Sequence, residues 1–430
     1  MAKSKLFMAT VAAIMLTTVV RVYAKTTVEA KSTTIEQMVN ANQLPDAVKK
    51  LKSDYKFNDP AGLKELRRFS LEVLRRGLDE SDPYEKCYAA SALGANGDQE
   101  SAKILEAAFV SPDPGLKMAA VDGLGDMGNG IAAASLQRLY HSADAYGKRL
   151  LVQGLGQVND PQAISLLETA ATESDNDTRL IAIEALGRLH QSEALPQLHK
   201  MLLTEQTPYN QIMVAHSLLL LGDNSGTDLL IKAMRESSNV DYRAAAIMAL
   251  GDARDAKVAG ELKKMLADPE LEVRMAAAAA LTHYGDAEGL PVLHTAMESQ
   301  ESRVRNEVSQ LLEHVDYNVA KSVIMASLNS PDQQVRMAGV HALGVSGGDA
   351  AIEPLMGLLQ GSTDPIMRAD IAWALGKIGS PKVIDPLLGL VVESDPAVRY
   401  TAAEGLARTA NHLLAHQPTA PTQSASKSDS

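Results

Sequence analysis

Cysteine is nearly absent. Cys87 is the one thiol in 430 residues, so no intramolecular disulfide can form, and it reads as a small apolar side chain. Aromatic residues make up 4% of the chain and include a single tryptophan. A core must therefore be built from leucine, isoleucine, valine and alanine. The longest apolar run, Leu6 to Val20, spans 15 residues and contains three threonines. A bilayer needs about 20 apolar residues, so this run is too short for a comfortable span. Basic charge is in deficit, with 41 Lys and Arg against 53 Asp and Glu, a net charge of −12. That opposes nucleic acid as the main partner, because phosphate binding needs a basic stripe. HExxH is missing, and no His-Glu dipeptide occurs anywhere in the chain.

What is present at the N-terminus resembles an export signal. Lys3 and Lys5 precede the apolar run, and Val22-Tyr23-Ala24 offers a small-residue cleavage site. We expect cleavage after Ala24 and a periplasmic or secreted protein, with no stable membrane insertion afterwards. Losing Lys3, Lys5 and Arg21 leaves 38 basic residues against 53 acidic ones, or −15. Residues 25–59 hold short helical patterns and are expected to cap the apolar end of a repeat array that begins at Pro60. Gln417 to Ser430, rich in Ser, Thr, Pro and Ala, is expected to be a disordered tail.

Between these ends, residues 60–416 repeat. Leu93, Leu124, Leu155, Leu186, Leu218, Leu250, Leu281, Leu312, Leu343, Leu375 and Leu406 succeed one another at gaps of 31 or 32 residues. A fixed period of this length marks a repeat array. Each unit holds two helical patterns, and the aligned leucine lies on the second. The first carries its own leucine, from Leu74 to Leu387, with Ile324 filling the one gap. Eleven pairs result.

Counting back from the aligned leucine gives the chemistry of the second helix. At minus eleven stands Asp, Asn, Thr or Glu, for the most part a good N-cap. At minus ten, Pro83, Pro114, Pro208, Pro365 and Pro396 suit a first helical position. Minus eight, minus four, minus one and zero form one buried stripe, and small residues at minus four and minus one let helices approach. At minus seven a base recurs in every unit except the fifth, where Gln211 stands. At plus one, seven of eleven units have glycine, which suits a helix ending.

The pattern Asp332…Val335-Arg336…Ala342-Leu343-Gly344, with its copy Asp364…Arg368…Ala374-Leu375-Gly376, resembles the HEAT-like repeats of the bilin-lyase type. The resemblance covers nearly the whole chain after residue 24. It implies an all-α fold, a right-handed α-solenoid of about eleven HEAT-like hairpins. It also implies a ladder of aspartates and arginines between neighbouring repeats (Asp332, Arg336, Asp364, Arg368, Asp395, Arg399) and Ala-Leu-Gly helices lining the concave side. Units five, seven and eight depart from the pattern at Gln211, Leu219, Thr282 and Glu313, and a local bend is expected there. Two enzyme families share the repeat. Deoxyhypusine hydroxylases carry His-Glu pairs after the base, where this chain has Met118-Ala119, Leu180-Ile181, Met275-Ala276 and Met337-Ala338. Bilin lyases remain an alternative, against which the export signal speaks.

Other motifs fit the array better than chemistry. Gly123 to Gly128 matches GxGxxG but closes a repeat helix instead of following a strand. Gly344 to Gly348 matches GxSxG but lies in an inter-helix turn. His412 and His416 have metal-ligand spacing with no carboxylate or cysteine beside them. No catalytic cluster, metal or cofactor is expected.

Positions minus nine, minus six, minus five and minus two lie off the buried stripe and are expected to face a groove. They hold Tyr84, Tyr88, Tyr146 and Tyr209 early, Met248, Met275 and Met337 in the middle, and His341, Trp373 and Tyr400 late. Methionine adapts to varied partners, and Tyr and Trp are enriched where binding energy concentrates. The expected function is a non-catalytic scaffold in the cell envelope that holds a protein or peptide. An accessory subunit acting through its ends or outer face is the other alternative.

Overall fold

The computed structural model describes residues 33–158, 160–173, 175–252 and 256–416. The proposed signal segment and the C-terminal tail lie outside them. Among the described residues there are 24 α-helices and no strands. None is long and apolar enough to cross a membrane.

The chain divides into two compact units, before and after residue 55. In the first, α1 (Ile35–Asn40) and α2 (Leu44–Asp54) pack on each other. Thr34 and Gln37 form a reciprocal capping box that fixes the start of α1.

The second unit holds eleven helical hairpins. The first four are α3 (Pro60–Asp79) with α4 (Pro83–Leu93), α5 (Gln99–Phe109) with α6 (Pro114–Met127), α7 (Gly130–Tyr140) with α8 (Ala145–Leu155), and α9 (Gln162–Ala170) with α10 (Asn176–Arg188). The next three are α11 (Leu195–Thr204) with α12 (Pro208–Leu220), α13 (Thr227–Glu236) with α14 (Val240–Gly251), and α15 (Ala256–Met265) with α16 (Leu271–His283). The last four are α17 (Leu290–Met297) with α18 (Ser302–Leu311), α19 (Tyr317–Ser327) with α20 (Gln333–Ser346), α21 (Ile352–Gly361) with α22 (Pro365–Ile378), and α23 (Ile384–Leu390) with α24 (Pro396–Ala415).

The aligned leucines form the spine. All eleven are at most 1% exposed, and Leu74, Leu105, Leu136, Leu167, Leu198, Leu230, Leu262, Leu293, Ile324, Leu355 and Leu387 opposite them are fully buried. Each such side chain contributes roughly 1.5–3 kcal/mol on burial, and none could be buried by a hairpin standing alone. The five minus-ten prolines all stand in the first turn of their helices. Seven of the eleven minus-eleven residues accept from a first-turn backbone N–H, and Thr207, Glu270, Glu301 and Asp332 do not. Asp332 is spent elsewhere, on Arg305 of the preceding hairpin.

Gly94 and Gly156 cap their helices and Gly251 is the last residue of α14, as expected, but the other four plus-one glycines do not end helices. Helix α6 runs through Gly125, α10 through Gly187, α20 through Gly344 and α22 through Gly376. They serve close approach instead. A Cβ on Gly344 would stand 2.7 Å from the Cα of Ala374, and one on Gly187 the same distance from that of Ser217. Each contact is with the minus-one residue of the next second helix. The left-handed turn comes three residues later, at Gly97, Gly128, Gly222, Gly285 and Gly379, where φ lies between 60° and 82°. In hairpin four His190 takes that place with φ 51°.

The second helices pack on one another along the whole row, while the first helices meet over fewer residues. A row that is tight on one side curves toward that side. The second helices therefore line the inside, as the family resemblance implies.

The row then meets itself. Helix α24 of the last hairpin packs on α3 and α4 of the first, and more extensively on α3. The hairpins thus form a closed circuit.

Candidate functional site: the inner wall and its seam

Closure reassigns one of the expected groove residues. Tyr400 is 2% exposed, and its ring lies where a Cβ on Gly77 would stand 2.7 Å away. Its hydroxyl donates to Glu85 Oε2 at 2.9 Å, and Arg399 approaches the same carboxylate at 3.9 Å. Burial, then the bond to Glu85, pushes the Tyr400 phenol up to about 12. Met275 is also a correction, being 1% exposed. A second helix in a row is covered on both flanks, so its buried arc is wider than the single stripe expected from the sequence.

Further along the seam, Asn411 donates to the Ala95 carbonyl at 2.7 Å. Arg408 joins Asp126 of hairpin two to Glu404 of its own helix. Burial raises the Glu404 carboxyl above the usual range, with Arg408 opposing and Asp126 adding to the rise. Burial also lowers the Lys377 ammonium, and the Arg408 charge adds to this. Asp126, Lys377, Arg408 and Asn411 border a cavity of about 330 Å³ at the junction. Nothing in the period of the repeat distinguishes Glu85, Asp126, Arg408 or Asn411. Their one sequence signal is the length of α24, 20 residues where most second helices have 10 to 14.

The other groove candidates stay at the surface. Tyr84 is 77% exposed, Tyr88 and Tyr146 are exposed as well, and so is Met118 at the minus-six position of hairpin two. These four come from hairpins one to three. Tyr209, Met248, Met337, His341 and Trp373 are half-buried. Tyr209 meets Tyr242 of the next hairpin with ring centroids 5.8 Å apart. His341 lies on Trp373 at 4.6 Å, and the Lys377 ammonium stands 5.3 Å from the Trp373 ring centre. On the same wall, His216 and His283 reach Asp252 at 2.7 and 3.4 Å. Burial would raise the Asp252 carboxyl, but the His216 hydrogen bond and nearby imidazole charges outweigh it and hold it below the usual range.

The ladder has a different build from the one implied. Arg179, Arg243, Arg274, Arg336, Arg368 and Arg399 each donate to the carbonyl six residues back, in the loop of their own hairpin, at 2.7 to 3.2 Å. Gln211 does the same at 2.7 Å, so a neutral amide makes the bond that the bases make elsewhere. Four bases also cross to the next hairpin. Lys148 meets Glu173, Arg179 meets Glu205, Arg243 meets Asp268 and Arg368 meets Glu393. The acid lies two residues before the N-cap in each case. Of the minus-seven bases among the described residues, Arg305 crosses to an N-cap position, Asp332, and Arg149, next to Lys148, reaches the N-cap Asp175 at 3.9 Å. Asp364 accepts from Ile366 and from Gln333, and Asp395 caps its own helix.

His412 and His416 stack at 4.3 Å near the seam. No group of three or more His, Cys, Asp or Glu among the described residues has the geometry to hold a metal ion. Gly123 to Met127 lies within α6, and Gly344 to Ser346 ends α20, so neither glycine motif has the strand it would need.

Three solved structures illustrate the likeness to known folds. The complex of CpcE and CpcF of phycocyanin lyase from Nostoc sp. PCC7120 is 22% identical, covering 56% of this chain and 94% of that one, with a TM-score of 0.37. Human deoxyhypusine hydroxylase is 19% identical over 57% and 95%, with a TM-score of 0.30. An engineered protein is 19% identical over 79% and 98%, with a TM-score of 0.28. At this level nothing of their activity transfers. No curated protein matches the chain. The family model for HEAT repeats matches four times, over residues 71–146, 132–219, 227–313 and 320–407, and so the chain belongs to the HEAT-repeat family.

Proposed function

We propose that this protein is an exported, non-catalytic scaffold that holds a protein or peptide against the inner wall of its circuit of second helices. The observation that carries this reading is the exposed apolar strip Tyr84, Tyr88, Met118 and Tyr146 across the first three hairpins. Tyrosine and methionine left in solvent on one wall are side chains that binding would bury. Curved arrays of this kind present extended inner surfaces to their partners. The signal-like N-terminus supports a partner in the cell envelope.

The test is affinity capture from an envelope extract with wild type and with a Tyr84→Ala, Tyr146→Ala, Trp373→Ala variant. The reading expects specific proteins to be lost from the variant. Equal capture by both, or crosslinks confined to the first helices, would move the binding surface to the outer face. Mass spectrometry of protein recovered from the envelope should show a chain beginning at Lys25. A chain still beginning at Met1 would remove the export part of the reading.

A further inference from the structure

The gap between hairpins five and six lacks the arginine that two equivalent gaps contain. At the same place in the repeat, a cleft of about 370 Å³ between hairpins four and five has Arg179 in its wall, and one of about 410 Å³ between nine and ten has Arg336. Between hairpins five and six the cleft measures about 600 Å³. The residue at that point is Gln211. Its side chain is neutral and shorter, and its amide turns back to the Glu205 carbonyl. No guanidinium enters.

The receiving side changes as well, and its carboxylate moves to the exposed Glu236. Where an arginine crosses from hairpins four, six and ten, a carboxylate on the next hairpin meets it, from Glu205, Asp268 and Glu393. The corresponding residue in hairpin six is Ser237, and the residue before it is Glu236. Both line the cleft, as does Asp228 two turns earlier on α13. No ion pair engages Glu236 or Asp228 among the described residues. Lys232 lies between them on the same helix, so the three leave one negative charge in excess. Behind them, Ile212, Leu229, Ala233 and Tyr242 give the cleft an apolar wall with one aromatic ring.

We propose that this cleft binds a small organic cation, a guanidinium or ammonium group carried on an apolar body about the size of an aromatic ring. The charged end takes the place of the missing arginine beside Glu236, and the body lies on Ile212, Leu229 and Tyr242. A volume of this order falls within the range of roughly 300–1,000 Å³ that holds small molecules. A cation beside Tyr242 gains from the ring face as well as from the carboxylate. The site is separate from the inner-wall reading and stands or falls without it.

The probe is benzylguanidinium, with the neutral, similarly shaped benzylurea as its control, titrated calorimetrically into the full chain. Saturable binding of the cation alone is expected. Gln211→Arg restores the resident guanidinium and should abolish binding, and Glu236→Gln should weaken it by about tenfold or more. Circular dichroism melting confirms that each variant is folded, and Glu236→Gln decides the matter if Gln211→Arg does not fold. No saturable heat, equal binding of benzylurea, or unchanged affinity in a folded variant would each overturn the proposal.

Discussion

Tyr400 donates its hydroxyl proton to Glu85, 315 positions earlier in the chain. The bond joins the eleventh hairpin to the first and is a local mark of the closed circuit. In an open array both flanks would end in solvent, and terminal repeats would need a polar outer face. Here each terminal hairpin is the other's cap, and Tyr400 is buried between them.

Replacing that side chain should separate its two contributions. Tyr400→Phe removes the hydroxyl and is expected to cost about 1–2 kcal/mol in urea unfolding, with the circuit still closed. Tyr400→Ala removes a buried ring as well and should cost about 3–5 kcal/mol. It should also raise the radius of gyration in small-angle scattering. An unchanged radius in a folded Tyr400→Ala variant would show that the remaining seam contacts suffice.

Close approach of second helices makes a contrast between glycines. Gly344→Ala puts a methyl against the backbone of Ala374 and should destabilise by about 1–3 kcal/mol. Gly357 lies inside α21, and an added Cβ there meets nothing within 4 Å. Gly357→Ala should therefore stabilise by about 0.5–1 kcal/mol through helix propensity alone. Paired thermal melts read both signs, and a loss at both positions would contradict the packing assignment.

Arg368 holds the loop of its own hairpin and the next hairpin together. Its guanidinium donates to the Leu359 and Ser362 carbonyls and to Glu393. Arg368→Ala should cost about 2–4 kcal/mol, because two carbonyls and a carboxylate lose their donor at once. Arg368→Lys should recover less than half, since an ammonium does not reproduce the planar fork. Gln211→Ala, which frees one carbonyl, should cost about 1 kcal/mol by the same denaturant measurement.

The seam should carry a pH signature. Burial raises the folded-state Glu404 carboxyl above its unfolded value. A raised acid binds its proton more tightly when folded, so its contribution is fully present below the ordinary glutamate value of about 4.3. It is lost as pH rises through the elevated folded value. Wild type should therefore lose stability against Glu404→Gln across that window, measured as the difference in urea midpoint at each pH. A difference that stays flat with pH would show the carboxyl to be ionised throughout.

The repeat was legible because its determinants are local and recur. The period, the buried leucines, the first-turn prolines and most N-caps each act within one hairpin or between two, and eleven copies repeat them in register. The exposed Tyr84, Tyr88 and Tyr146 were legible for the same reason, since helical spacing alone takes them off the buried stripe. Where single-helix reasoning failed, a neighbouring helix was the cause. Met275 is covered from the flank. Gly125, Gly187, Gly344 and Gly376 sit inside helices because the helix beside them, not the turn after them, needs the space. Gln211 departs from the pattern in charge but not in its carbonyl partner, which only the folded loop reveals.

By itself the sequence determined the all-α hairpin array and its number of units, while the inward side of each pair was an implication of the family resemblance. Only the tertiary structure decided that the ends meet, and with that the burial of Tyr400 and the pairing of Arg408 with Asp126. The reason is physical. Closure depends on the small rotation from each hairpin to the next, summed over all eleven, and no single residue or motif carries that sum.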